Sequence, residues 1–259
     1  MRLRTRTTRR VATAGIALVT AAAMSACSSD TEEDGGTASP ETSASDPVDD
    51  STPEAPVDQL ILGQDEAPGG GVVERLEHDQ IREQVDRIVE SQGRELMENP
   101  ACDTVSRVPT VTNHALDDAV HSVIRYKQSE TDETEHRFGV GLVDQRLDEF
   151  LDRSLYEACD TSPTIADPGR ELRMSVEDAP EVPGTEGFRV ISDFVTTEPD
   201  GNQSLYRLVV LHGFARGTTV NVEYEATSDD VDADPVLPTA AGALDAIYTE
   251  QMTKLVEAP

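Results

Sequence analysis

Leu205-Tyr206-Arg207-Leu208-Val209-Val210-Leu211-His212-Gly213-Phe214-Ala215, followed after Arg216-Gly217 by Thr218-Thr219-Val220-Asn221-Val222-Glu223-Tyr224-Glu225-Ala226, is the stretch that decides the fold. Both runs are rich in β-branched and aromatic residues, and they are too closely spaced for a crossover helix between them. Two strands joined so tightly are expected to lie antiparallel. Upstream, Pro199-Asp200-Gly201-Asn202 is a turn signal. It ends a third run, Phe188–Thr197, and Glu171–Val176 precedes that behind Pro163 and Pro168. Farther back, Ala119–Lys127 and Arg137–Val143 read as two more strands, joined by the polar loop Gln128–His136.

Helical periodicity brackets these strands. Ile81, Val85, Ile88, Val89 and Leu96 recur at three- and four-residue spacing, which predicts a helix over 72–98, ended by Asn99-Pro100. Arg146–Ala158 carries Leu147, Phe150, Leu151 and Leu155 on one face, with acids opposite. Ala240–Val256 closes the chain with Leu244, Ile247, Tyr248, Met252 and Leu255, after an acidic loop at Asp229–Pro238. The order is helix, two strands, helix, four strands, helix. It predicts an α+β fold in which a twisted antiparallel sheet of about six strands is flanked by helices, within one domain spanning 57–259. All five Phe and five Tyr fall between Tyr126 and Tyr248, so the core centres there.

Composition narrows the function. The 259 residues hold 51 Asp+Glu against 21 Lys+Arg, a net charge of −30. Nucleic acid and anionic lipid surfaces are bound by clustered Lys and Arg, so neither is an expected partner of this domain. Hydrophobic content of 37% with no Trp is low, and predicts that part of the chain lies outside a packed core.

Residues 1–26 read as a lipoprotein signal peptide. Arg2, Arg4, Arg6, Arg9 and Arg10 form a cationic start, and Val11–Ala23 is apolar but spans only about 20 Å as a helix, short of a bilayer core of about 30 Å. Met24-Ser25-Ala26-Cys27 resembles the bacterial lipobox, which implies acylation of Cys27. Cleavage near Ala26 as an ordinary secreted protein is the alternative. Thr8-Arg9-Arg10 hints at a twin-arginine signal, but Val11-Ala12-Thr13 lacks the bulky apolar pair, so export unfolded is expected. Each buried acyl CH₂ is worth about 0.8 kcal/mol, so two or three chains (palmitate-like) anchor a protein stably to the cell membrane.

Residues 27–56 are then the lipidated Cys and an acidic tether. Ser28–Pro56 holds nine acids, no Lys or Arg, and no aliphatic residue except Val48. Such a stretch buries too little apolar area to offset its ordering entropy. With Cys27 assigned to the lipid, Cys102 and Cys159 remain as an even pair in an oxidising compartment, which predicts a structural disulfide. By loop closure such a bridge contributes roughly 4 kcal/mol. Two separate thiols or a catalytic cysteine are the alternatives.

No nucleophile elbow, zinc-protease motif, phosphate-cradling glycine loop or dinucleotide fingerprint is present. His78 and His114 fall on surface segments. His121 and His136 lie on the expected hairpin, where they would face each other near Glu135 as a metal pair, with solvated strand histidines as the alternative; His212 lies on a later strand. Asp230-x-Asp232-x-Asp234 copies the start of a calcium loop, but Pro235 and Ala241 occupy the positions that need Gly and a bidentate Glu. No catalytic residue, metal or cofactor is therefore expected.

Several landmarks resemble the PknH-like extracytoplasmic sensor domain of actinobacterial receptor kinases, which also occurs on stand-alone lipoproteins. They are Leu60-Ile61-Leu62 before Ala67-Pro68-Gly69-Gly70, Asn99-Pro100-Ala101-Cys102, Tyr156-Glu157-Ala158-Cys159, and the last helix with Ala240, Leu244, Tyr248, Lys254 and Leu255. The resemblance implies a twisted antiparallel sheet flanked by helices, with a cleft for an unidentified ligand. The kinase sensors carry two disulfides where this chain forms one, and no kinase or transmembrane helix is read here. A PsbP-like sandwich is the alternative architecture. The expected function is a non-enzymatic ligand-binding or sensor-like lipoprotein on the extracytoplasmic face of the actinobacterial cell envelope, with a small-molecule or envelope ligand. The alternative is a scaffolding or interaction protein that holds a protein partner. The sequence names no ligand-contacting residue.

Overall fold

The computed structural model describes residues 51–83, 102, 118–127, 135–160 and 169–259. Its elements are α1 (Val57–Leu60), a 3₁₀ turn (Pro68–Gly70), β1 (Val72–Leu76), β2 (Val120–Lys127), β3 (Glu135–Val143), α2 (Asp148–Leu151), α3 (Arg153–Asp160), β4 (Arg170–Asp178), β5 (Glu186–Thr197), β6 (Gln203–Ala215), β7 (Thr218–Ser228) and α4 (Pro238–Glu257). The strands form one sheet in the order β1-β2-β3-β7-β6-β5-β4, every neighbouring pair antiparallel. Among the described residues the sheet thus has seven strands, where the sequence predicted about six.

The extra strand lies within the stretch read as helix. Val72–Leu76 pairs with β2, Val73 opposite Ile124, and packs Val73 on the main core. Adjacent β-branched valines favour this extended edge. Helix begins only after it, over 78–83, where Ile81 is buried. Val85, Ile88, Val89, Leu96 and Asn99-Pro100 lie outside the described residues, as do Cys27, His114 and the loop 128–134.

The helix expected over Arg146–Ala158 is two short ones. Asp152 separates them, because its carboxylate accepts hydrogen bonds from the Ser154 backbone N–H at 3.0 Å and the Ser154 hydroxyl at 2.6 Å. An aspartate capping the residues ahead of it starts a new helix in place of continuing the old one.

Each face of the sheet is covered differently. Ile124, Phe138, Val140, Leu142, Val209, Leu211, Val220 and Val222 belong to the main core, which α4 closes with Leu244, Ile247, Tyr248, Met252 and Leu255. The segment Leu60-Ile61-Leu62 is strapped under α4. Gln251 donates to the Leu60 carbonyl and accepts from the Leu62 N–H, both at 3.0 Å, while Lys254 donates to the Ile61 carbonyl at 3.0 Å. On the opposite face, Tyr156 and Cys159 of α3 pack with Leu172, Met174, Phe188 and Val190 of β4 and β5.

The folded part begins inside the stretch read as tether. Pro53 is buried, the Glu54 N–H donates to the Pro259 carbonyl at 3.0 Å, and Arg216 donates to the carbonyls of Ser51 and Ala258. Both ends of the described chain therefore meet at the β6–β7 turn. No helix of the described residues is long and apolar enough to cross a membrane.

Candidate functional site

The predicted disulfide is formed. Cys102 and Cys159 are bonded with their Cα atoms 4.8 Å apart, and both are buried beside Tyr156 in the α3 core.

The histidines are placed otherwise than expected. His121 stands opposite Gly141, and His136 stands opposite Tyr126, five positions farther along β2. Successive residues of a strand point to opposite faces, so the two rings lie on different sides of the sheet and form no metal pair. Nor are the strand histidines solvated: His121, His136 and His212 are 7%, 4% and 0% exposed. His136 shares a hydrogen bond of 2.9 Å with the Tyr224 hydroxyl. His212 stacks on Phe188 at 4.7 Å and 7°, with Phe150 and Tyr156 packed around the same ring. Among the described residues no three metal-ligating side chains come together. Asp230 and Asp234 accept backbone N–H bonds within their own loop, and Asp234 also pairs with Arg207 at 2.7 Å.

A polar track crosses the face opposite α4. The register places His121, Gly141, Asn221 and His212 side by side across β2, β3, β7 and β6. The next row on that face is Val123, Gly139, Glu223 and Val210. Gly139 and Gly141 supply no side chains in the middle of the sheet, and neighbouring side chains fill the space over them. Asn221 and His121 lean into it over Gly141, where an added Cβ would lie 2.5 Å from Asn221 Oδ1 and 3.0 Å from His121 Nδ1. Glu223 leans over Gly139, where a Cβ would lie 2.5 Å from its Oε1. Asn221 Nδ2 faces Glu223 Oε2 at 3.5 Å, a long contact that orders the two side chains along the track.

The electrostatics are unusual for a sheet face. Burial, with a further push from the like charge of Glu225, raises the Glu223 carboxyl to about 7. Burial lowers His121 to about 4, so its ring is neutral at physiological pH. A carboxyl poised near neutrality, an amide and a neutral imidazole thus share one polar patch, flanked by valines. Such a set includes a group that changes charge near pH 7. Perturbed carboxyls of this kind concentrate at functional sites.

No residue of this track was singled out by sequence except His121 and His212. The available signal was Phe138-Gly139-Val140-Gly141-Leu142, which strips every side chain from one face of a central strand over two consecutive positions. No family model, no curated protein and no solved structure matches the chain.

Proposed function

We propose that the chain is a membrane-anchored lipoprotein, acylated at Cys27 and displayed on the extracytoplasmic face, whose domain binds a ligand without transforming it, as PknH-like sensor domains are expected to do. The observation that carries this reading is the polar row over Gly139 and Gly141, where the side chains of His121, Asn221 and Glu223 converge between apolar neighbours. Binding sites combine mainly apolar walls with a few placed polar groups. A buried carboxyl costs stability unless something offsets it, and a ligand is one such offset. The lipobox and the acidic tether support the location, and the Cys102–Cys159 bridge suits an oxidising compartment.

The test is thermal melting of the full chain in detergent micelles against cell-wall fragments, lipids, sugars and divalent metals. A ligand at about 100 times its Kd adds roughly 2.7 kcal/mol, a shift of several degrees. A reproducible shift supports the reading. A flat panel with the fold and disulfide intact contradicts it.

A second reading, a scaffold for a basic protein partner, is favoured by one specific feature. The β5–β6 turn and the loop after β7 lie at the same end of the sheet and bring Glu198, Asp200, Asp229, Asp230 and Asp232 there. Such a surface steers a basic partner with a salt-dependent association rate; a rate equal at low and high salt contradicts this reading.

A further inference from the structure

We propose that β4, an outer strand of the sheet, pairs with β4 of a second copy of the chain, antiparallel and centred on Ser175, so that the two sheets join into one. The inference is independent of the ligand-binding reading above.

An edge strand leaves half of its backbone groups unpaired and is a template for another strand. Among the described residues the sheet ends in β1 and β4, and these differ in length, five residues against nine. The pairing of β4 with β5 runs unbroken from Arg170–Thr196 to Asp178–Phe188, so no bulge twists this edge away. Between Glu171 and Asp178 there is no Pro and no Lys, the residues that commonly blunt an edge.

The hydrogen bonds at the strand ends fix which backbone groups point outward. The Thr197 N–H donates to the Gly169 carbonyl at 2.5 Å, and the Glu198 N–H donates to the Asn202 carbonyl at 2.8 Å. Hydrogen-bonded and non-hydrogen-bonded pairs alternate along an antiparallel ladder. The odd-numbered residues of β4 therefore bond to β5, while Leu172, Met174, Val176 and Asp178 turn their N–H and C=O groups away from it. Among the described residues no other strand meets that edge.

The side chains select the partner and the register. Opposite charges facing each other across two strands stabilise the pair, and like charges destabilise it. An antiparallel pair centred on Arg173 sets that guanidinium against its own copy, and one centred on Met174 sets Glu171 against Glu177 of the second copy. Centred on Ser175, Arg173 faces the second copy's Glu177 and Glu177 faces its Arg173. Within each chain Glu171 already holds Arg173 at 2.8 Å, and Arg189 holds Glu177 at 3.4 Å. The joint then carries Glu171, Arg173, Glu177 and Arg189 in alternating sign, twice over. On the α3 face the same register sets Met174 against Val176. It sets Leu172 against Asp178, whose carboxylate is taken up by Arg153 of α3 at 2.6 Å. A strand whose reversed copy complements its own charges fits a second copy of itself. Such a two-fold contact is closed, so association stops at the dimer.

The test uses the full chain in detergent micelles, with micelles in excess over chains. Mild oxidation is followed by non-reducing gels, with the parent chain as baseline. In this register the two Ser175 Cα atoms form a non-hydrogen-bonded pair about 4.5 Å apart, within disulfide reach, whereas the two Glu171 Cα atoms lie about 27 Å apart. Ser175→Cys should link into a covalent dimer and Glu171→Cys should not. Adding Arg173→Glu to Ser175→Cys should cut the linked fraction about tenfold, and adding Glu177→Arg as well should restore it, because both charges are then exchanged. Arg173 and Glu177 are exposed, so these changes leave the fold in place. Linking of Ser175→Cys no greater than that of Glu171→Cys or the parent overturns the proposal, as does linking that Arg173→Glu leaves unchanged. Ser175→Cys that does not link, while the Met174 and Val176 amides resist hydrogen exchange at every dilution, gives the edge to a cover within its own chain and also overturns it.

Discussion

The hydroxyl of Tyr248 rests directly on Gly187. On α4, Tyr248 reaches across to the cross-strand pair Gly187–Gly213 and donates to the His212 carbonyl at 3.3 Å. A Cβ on Gly187 would collide with that hydroxyl and would lie 2.8 Å from the His212 carbonyl oxygen. The two glycines therefore set how closely α4 approaches the sheet, and one strand's backbone positions both this contact and the buried His212 ring on the other face.

Replacing Gly187 by Ala should cost about 3 kcal/mol in urea unfolding, since overpacking of a close backbone contact is felt at that level. In a Tyr248→Phe background the cost should be smaller, because the clashing oxygen is gone. Gly242→Ala, on α4 with open space around the added methyl, should instead stabilise by up to about 1 kcal/mol. Equal effects at Gly187 and Gly242 would contradict this packing.

Removing the Cys102–Cys159 bridge, as the double serine variant, should lower stability by about 2–5 kcal/mol. Melting of the variant beside reduced wild type checks it, and the two should agree.

Gln251→Leu should cost about 2 kcal/mol. It keeps the volume but deprives the Leu60 carbonyl and the Leu62 N–H of their partner, leaving two buried backbone groups unsatisfied. Urea unfolding with hydrogen exchange at Leu62 reads both the loss and its location.

Stability should depend on pH through Glu223 and His121 with opposite signs. The folded-state pKa of Glu223 is raised from 4.5 to about 7, so the folded state holds the extra proton in that window and stability falls as pH rises through it. The folded-state pKa of His121 is depressed from 6.5 to about 4, so the unfolded state takes the proton first and stability falls as pH drops from about 6.5 towards 4. Glu223→Gln should therefore remove the loss between about pH 5 and 7 and leave the decline on the acid side. Unfolding free energies of both proteins across that range check it; superimposable profiles would contradict the assignment.

The sheet was legible where alternation is carried by many residues of one segment. β6 and β7 read directly from their sequences, and the five apolar positions named for the last helix are all buried. β1 was hidden because Val72–Leu76 is short and runs into helical residues, so its pairing with β2 decides its state. The break at Asp152 was hidden because a single cap outweighed a continuous apolar stripe. The polar row was illegible for a different reason. Alternation puts Asn221 and Glu223 on the face away from Val220 and Val222, which reads as solvent. What lies beside them, Gly139 and Gly141, is some 80 positions away in the chain and reaches them only through the β3–β7 register. The burial of His212 likewise depends on Phe150, Tyr156 and Phe188 from three other elements.

The most direct test of the central claim, that this polar row is the binding site, is amide chemical-shift mapping of the full chain in micelles with the compound giving the largest melting shift. The account predicts that the perturbed residues cluster on His121, Gly139, Gly141, Asn221 and Glu223. Perturbations confined to the far end of the sheet, around Asp200 and Asp229–Asp234, with the polar row silent, would contradict it.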